Sequence, residues 1–175
     1  VAAKLIGYFT QQTHHLREGI ASTMAMIEGA YAMVLARENA LYAFRDPDGI
    51  RPLVLGRLKD DSGWVVASET CALDIVDAKY LRDVEPGEIL RISDDGLVTQ
   101  REYHTEKPSH CIFEQVYFAR PDSVMGDGTV YMARRRMGQQ LAQEAPVDAD
   151  LVIGVPDSGL PPAEGYAEAA GIPFG

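Results

Sequence analysis

Asp157-Ser158-Gly159 follows the apolar run Leu151-Val152-Ile153-Gly154-Val155, and its hydroxyl and carboxylate oxygens are the donors a hard divalent cation takes. At the carboxyl end of a strand in an open α/β sheet such oxygens would face a ligand. The plainer alternative is a turn whose Ser158 caps a helix beginning near Pro161. The chain has two cysteines, Cys71 and Cys111, whose spacing matches no self-contained zinc site. A thiol in apolar surroundings is ordinarily a small buried hydrophobe, and Cys71 is read that way, on a helix. In Arg45-Asp46-Pro47-Asp48-Gly49-Ile50-Arg51-Pro52-Leu53, Pro47 fixes φ, Gly49 can take positive φ, and Asp46 can bond the amides of the turn. Turn chemistry alone makes this a tight hairpin with solvated charges, although it is denser in fixed-geometry residues than a hairpin needs. Arg120 either pairs with acids across a domain junction or sits solvated in a turn. The Arg134-Arg135-Arg136 triplet reads as a solvated helix face, because consecutive helical residues point in different directions. His14 and His15 have no metal-ligand partners in view.

The elements around these residues follow from periodicity. Val1, Leu5, Ile6 and Phe9 lie on one helical face, and Leu16, Ile20, Met24 and Ile27 form a second amphipathic helix ending near Gly29. Short apolar runs at 31–36, 40–44, 53–58 and 64–68, separated by turn residues, predict an antiparallel meander. A short helix over 69–78 interrupts it, and 89–92 with 97–99 around Asp94-Asp95-Gly96 predicts a further hairpin. Two helices on an antiparallel sheet make an α+β layered domain. After 104–110 the rhythm changes. An apolar run over 111–118, a turn at 120–123, a long helix with a Val130, Met137 and Leu141 stripe ended by Pro146, a buried strand at 151–155 and a second helix read as the start of an α/β unit with a parallel sheet. The predicted domains are 1–106 and 107–175.

Composition narrows the function classes. The 175 residues are 46% hydrophobic and carry a net charge of −10, which suits a soluble globular chain and gives no basic nucleic-acid footprint. No apolar stretch approaches the ~20 residues that span a bilayer. With few cysteines and no signal pattern at Val1-Ala2-Ala3-Lys4, a reducing, cytoplasmic compartment is expected. The chain opens inside a helical pattern and closes soon after its first parallel strand, so a segment of a longer protein is expected.

The phrases Arg45 to Leu53, Ala67-Ser68-Glu69-Thr70-Cys71-Ala72-Leu73-Asp74 and Arg82-Asp83-Val84-Glu85-Pro86-Gly87-Glu88 resemble the glutaminase domain of class II, N-terminal-nucleophile glutamine amidotransferases. Cys111-Ile112-Phe113-Glu114, Tyr117-Phe118-Ala119-Arg120-Pro121-Asp122-Ser123 and Val155-Pro156-Asp157-Ser158-Gly159 narrow the resemblance to the glutamine phosphoribosylpyrophosphate amidotransferase family. That resemblance implies an αββα glutaminase sandwich, partly present, followed by the start of a type I phosphoribosyltransferase domain. The implied reaction moves the glutamine amide nitrogen to phosphoribosyl pyrophosphate, giving phosphoribosylamine for purine synthesis. It implies an amino-terminal cysteine nucleophile upstream of Val1, so no catalytic residue lies in this segment and the segment alone is expected to be inactive. It also implies a magnesium site that includes Ser158, with Asp157 beside it. In one branch of the family the cysteine matching Cys111 binds a [4Fe–4S] cluster; in others no cluster is present, and both alternatives stay open for Cys111. Glutamine and phosphoribosyl pyrophosphate are the implied partners, with purine nucleotides as inhibitors and a homo-oligomer at full length. The competing reading is a non-catalytic remnant that keeps the scaffold and binds nucleotides or a partner protein.

Overall fold

A computed structural model of the chain describes residues 1–103 and 108–175. The chain is mixed α+β and divides into two compact units, Val1–Ser68 with Ala72–His110 and Glu69–Cys71 with Cys111–Gly175. The boundary predicted between 106 and 107 lies outside the described residues.

The first unit opens with helices α1 (Ala2–Thr13) and α2 (Leu16–Met26). His14, at φ 61°, stops α1, and its N–H bonds the Thr10 carbonyl at 2.9 Å. The helices approach closely at Gly19, where a Cβ would lie 2.3 Å from Thr10 Oγ1. Strands β1 (Ala32–Arg37), β2 (Ala40–Arg45), β3 (Val54–Leu58) and β4 (Trp64–Ala67) follow, then the short helix α3 (Thr70–Ile75) and strands β5 (Ala78–Asp83), β6 (Glu88–Ser93) and β7 (Gly96–Arg101). All pairings in this unit are antiparallel, but the single meander expected from the sequence divides into two sheets, ordered β1-β2-β6-β7 and β4-β3-β5. The helix over 69–78 also ends early, at Ile75, and leaves room for β5.

Alternating side chains on the two sheets build three apolar layers. Ile6, Ile20 and Met24 of the helices meet Tyr42, Phe44 and Ile89 on one face of the four-stranded sheet. Ala43 and Leu90, pointing the other way, meet Leu53, Leu55 and Val84. Beyond the three-stranded sheet, Leu73 of α3 packs with Val54 and Ala78. The period-2 alternation of a strand lets β2 and β6 serve two layers at once.

The hairpin expected at 45–53 with solvated charges instead has its first two charges buried. Arg45 is 3% and Asp46 1% exposed. The Asp46 carboxylate accepts from the N–H groups of Tyr31 (3.3 Å), Ile50 (2.9 Å) and Arg51 (3.1 Å), as its turn chemistry suggested. Its backbone carbonyl accepts from Gly49 and Gly87 at 3.0 and 3.1 Å, and its N–H donates to Tyr31 O at 2.9 Å. Arg45 donates to the carbonyls of Arg51 (2.6 Å), Val84 (2.8 Å) and Gly49 (2.8 Å). Burial pulls its guanidinium below the usual range, while Asp83, Asp46 and Glu85 pull it back. Gly49 has φ 66°, and a Cβ there would meet Pro86 Cγ at 2.7 Å.

The second unit holds a π-helical turn (Glu114–Phe118), a two-residue hairpin of β8 (Val124–Met125) and β9 (Gly128–Thr129), and helices α4 (Val130–Glu144) and α5 (Leu160–Ala170). Thr129 caps α4 by accepting from Met132 N–H at 3.3 Å. Two sequence readings are corrected here. Of the expected Val130, Met137 and Leu141 stripe only Val130 is buried; the buried face of α4 continues through Arg134, Gly138 and Ala142, while Met137 is half-buried and Leu141 is 51% exposed. The cause is backbone contact: a Cβ on Gly138 would lie 1.8 Å from Pro162 O, and one on Gly165 would lie 2.0 Å from Arg135 O. Residues 151–155 are not a buried strand but an isolated parallel bridge, Val152 to Phe174, with Ile153 70% and Val155 80% exposed. A parallel strand is buried by neighbours and by helices on both faces, and among the described residues only the 173–175 segment runs beside this one.

Replacing Asp46 by Ala will destabilise the chain by about 3 kcal/mol in denaturant unfolding, because three backbone donors lose a charged acceptor, and Asp46→Asn will cost less. Tyr31, 6% exposed, has its hydroxyl pushed up to about 12 by burial first, then by Asp46 and Tyr103. The unfolded phenol titrates near ~10, so the protonated native ring contributes stability below that pH and loses it as pH rises towards 12. Stability curves above pH ~10 will therefore fall more steeply for the parent than for Tyr31→Phe.

Candidate functional site

The chain turns sharply between Val155 and α5. Gly159 N–H donates to Val155 O at 3.0 Å, and a Cβ on Gly159 would lie 2.4 Å from that same oxygen. A Cβ on Gly154 would meet Leu160 Cα at 2.9 Å, so the loop closes on itself through two glycines. Gly159 is the N-cap of α5 and no side chain caps that helix, so Ser158 does not play the capping part that its position suggested. Ser158 is half-buried and Asp157 exposed. The result is a tight loop at the end of the Val152 bridge that presents one hydroxyl and one carboxylate, both oxygen donors.

These two donors fit a magnesium ion, which keeps several waters and takes few protein oxygens. No group of three or more His, Cys, Asp or Glu residues able to hold a metal occurs among the described residues. An iron–sulfur cluster is a poor fit to this chain's own residues. Such a cluster takes four thiolates, whereas the chain has two cysteines, Cys111 half-buried and Cys71 5% exposed within α3. Cys71 is thus the buried helix residue expected.

Sequence reasoning gave Glu69 and Arg134 no role, yet both hold the 115–124 stretch. Arg134, 2% exposed, donates to Gln115 O at 2.6 Å and Ala119 O at 2.8 Å, which corrects its reading as part of a solvated face. Burial lowers its affinity for the proton, and Glu69 opposes that. Arg135 pairs with Glu168 at 2.7 Å, and Arg136 alone of the triplet is exposed. The Arg120 guanidinium is on the surface and makes two bonds to Asp122, at 3.0 and 2.9 Å. Asp122 raises the proton affinity of Arg120 and is itself held below the usual carboxylate range by it. In the first unit, the polar groups of Arg45 and Asp46 are directed at backbone, which suits them to fixing the path of the chain rather than to touching a ligand. A cleft of about 460 Å³ bordered by Leu141, Val147, Leu151, Ile153 and Ile172 is almost wholly apolar and offers no convergent polar groups.

Comparison with known proteins bears on both units. A family model described as a glutamine amidotransferase domain matches residues 8–74. The amidophosphoribosyltransferase of Mycobacterium tuberculosis (strain H37Rv) is 52% identical over 160 residues, covering 91% of this chain and 30% of the relative. That of Bacillus subtilis (strain 168) is 46% identical over 171 residues, covering 98% of this chain and 34% of the relative. A solved structure of the B. subtilis glutamine phosphoribosylpyrophosphate amidotransferase, complexed with ADP and GMP, superposes with a TM-score of 0.90 at 44% identity, over 97% of this chain and 37% of that one. The chain spans about a third of the length of the curated relatives it matches. No helix among the described residues is long and apolar enough to cross a membrane. Along nearly its whole length the chain thus shares about half of its residues with amidophosphoribosyltransferases, and it follows the backbone path of the corresponding part of one of them.

Proposed function

We propose that this chain forms part of an enzyme that transfers the amide nitrogen of glutamine to phosphoribosyl pyrophosphate, giving 5-phosphoribosylamine in the first committed step of purine synthesis. The observation that carries this reading is sequence identity extending through both compact units, from the amidotransferase match at 8–74 to the loop at 156–159. On this reading the first unit is the later part of an αββα, N-terminal-nucleophile glutaminase sandwich, supported by the layering of helix pair, two sheets and α3. The second unit is the beginning of a type I phosphoribosyltransferase domain, supported by its helix pair and parallel bridge.

Each unit then contributes differently to the chemistry. In the glutaminase half, an amino-terminal cysteine thiolate attacks the glutamine amide and its own α-amine moves the proton. Cys71 cannot do this, because it is internal, buried and on α3. This chain's residues supply scaffold: the bonds that Arg45 and Asp46 each make to backbone tie the 46–51 turn to 84–87. In the transferase half, Ser158 would hold magnesium, with Asp157 beside it, and the ion would neutralise the departing pyrophosphate when bound. The close contacts at Gly154 and Gly159 fix the backbone that carries both side chains. Purine nucleotides as inhibitors, a homo-oligomer and a cytoplasmic location complete the proposal, supported by the ADP- and GMP-bound neighbour for the first of these.

The pure 175-residue chain will release no glutamate from glutamine and no pyrophosphate from phosphoribosyl pyrophosphate; glutamate release above the blank would overturn the assignment of the nucleophile to a residue outside it. In a full-length amidotransferase carrying this segment, Ser158→Ala will raise the magnesium concentration for half-maximal phosphoribosyl transfer about tenfold and leave glutamine hydrolysis by the other half intact. An unchanged magnesium dependence would remove Ser158 from the site.

A further inference from the structure

Two phrases far apart in sequence, 67–74 and 117–123, meet inside the second unit. One oxygen of the Glu69 carboxylate accepts from the Arg120 N–H at 2.8 Å and from the Ser123 hydroxyl at 2.7 Å. The neighbouring Thr70 hydroxyl accepts from Val124 N–H at 2.8 Å. Ser123 is 0% exposed, so its bond to Glu69 is shielded from water. Arg134 works on the preceding residues in the opposite sense, with a buried cation on the carbonyls of Gln115 and Ala119 where Glu69 places an anion on an amide and a hydroxyl. Bonds of this kind to charged groups are about twice as strong as neutral ones.

The segment that Glu69 and Thr70 belong to has a second attachment. Glu69–Cys71 group with the second unit, yet Thr70 and Cys71 begin α3, whose Leu73 lies in the Val54 and Ala78 cluster of the first. At six residues, α3 is too short to be stable on its own helical bonds, so its order depends on what holds its two ends. We propose that Glu69 is a positioning residue that joins α3 to the 120–124 turn, so that the two order and loosen together. A displacement of the turn is then transmitted to the start of α3 through three hydrogen bonds, and a displacement of α3 returns to the turn by the same route.

Amide hydrogen exchange on the chain and its variants tests this without any reference to catalysis, so its failure and that of the amidotransferase reading are separable. In Glu69→Ala, amides of 120–124 and of α3 will both exchange about tenfold faster or more, while those of the β6–β7 hairpin keep the parent rates. Glu69→Gln, which retains an acceptor oxygen, will give a smaller acceleration in the same two places. Should Glu69→Ala not fold, Thr70→Val, which removes the bond to Val124 alone, will accelerate both segments to a lesser degree. Faster exchange confined to 120–124, with α3 at the parent rate in whichever variant is read, overturns the proposal.

Discussion

A carboxylate with no water around it must be satisfied by whatever the chain supplies, and Asp46 is satisfied by backbone alone: its acceptors are filled by amides from the start of β1 and from the turn that follows β2. Arg45, its neighbour, faces the opposite requirement and fills its donors with carbonyls from 49, 51 and 84. Adjacent residues of opposite charge therefore collect backbone groups of opposite polarity, and little of either charge is left for solvent. The desolvation of two ions is costly, so each of these partners has to be in place for the arrangement to persist. Because the partners come from three separate stretches of chain, the path from the four-stranded to the three-stranded sheet is fixed by polar bonds, with apolar packing filling the layers around it.

Helical and hairpin periodicities were legible. Ile6, Ile20 and Met24 recur on helical faces, and Gly96, at φ 108°, turns β6 into β7 where Asp94-Asp95-Gly96 suggested. The division into two sheets was not, because nothing in 46–53 says locally that the chain crosses to another layer; that follows from the bonds to Tyr31 and Val84. Strand β5 escaped notice since its alternation mixes Lys79, Arg82 and Asp83 with Tyr80 and Leu81, both of which are largely exposed. At the candidate site, Asp157 and Ser158 could be singled out from residue type, but whether Ser158 caps α5 depends on where the helix starts, and Gly159 decides that. The burial of Arg45 and Arg134 was illegible for one shared reason: an arginine goes inside when carbonyls converge on it, and those of Val84, Gln115 and Ala119 are brought there by tertiary structure.

Family resemblance carried what periodicity could not. The phrases that point to an amidotransferase are short and mostly polar, and in the structure several prove to be hydrogen-bonded hubs: 45–53 around Asp46, 82–88 around the Arg82–Glu88 pair at 2.8 Å, and 67–74 with 117–123 around Glu69. A signature of this kind marks positions where one side chain serves several backbone groups, and substitution at such a position strands all of them.

The contact of α4 with α5 through Gly138 and Gly165 has a geometric consequence for the loop ahead of α5. Side chains between two helices act as spacers, and a family can trade a large spacer on one helix for a small one on the other while the helices drift apart or together. Here main chain rests on main chain at Pro162 and Arg135, so there is no spacer to trade. The separation of the helices is set by the thickness of the peptide itself. Residues 157–159, which lead into α5, thereby have a datum that ordinary sequence drift in the rest of the unit leaves where it is.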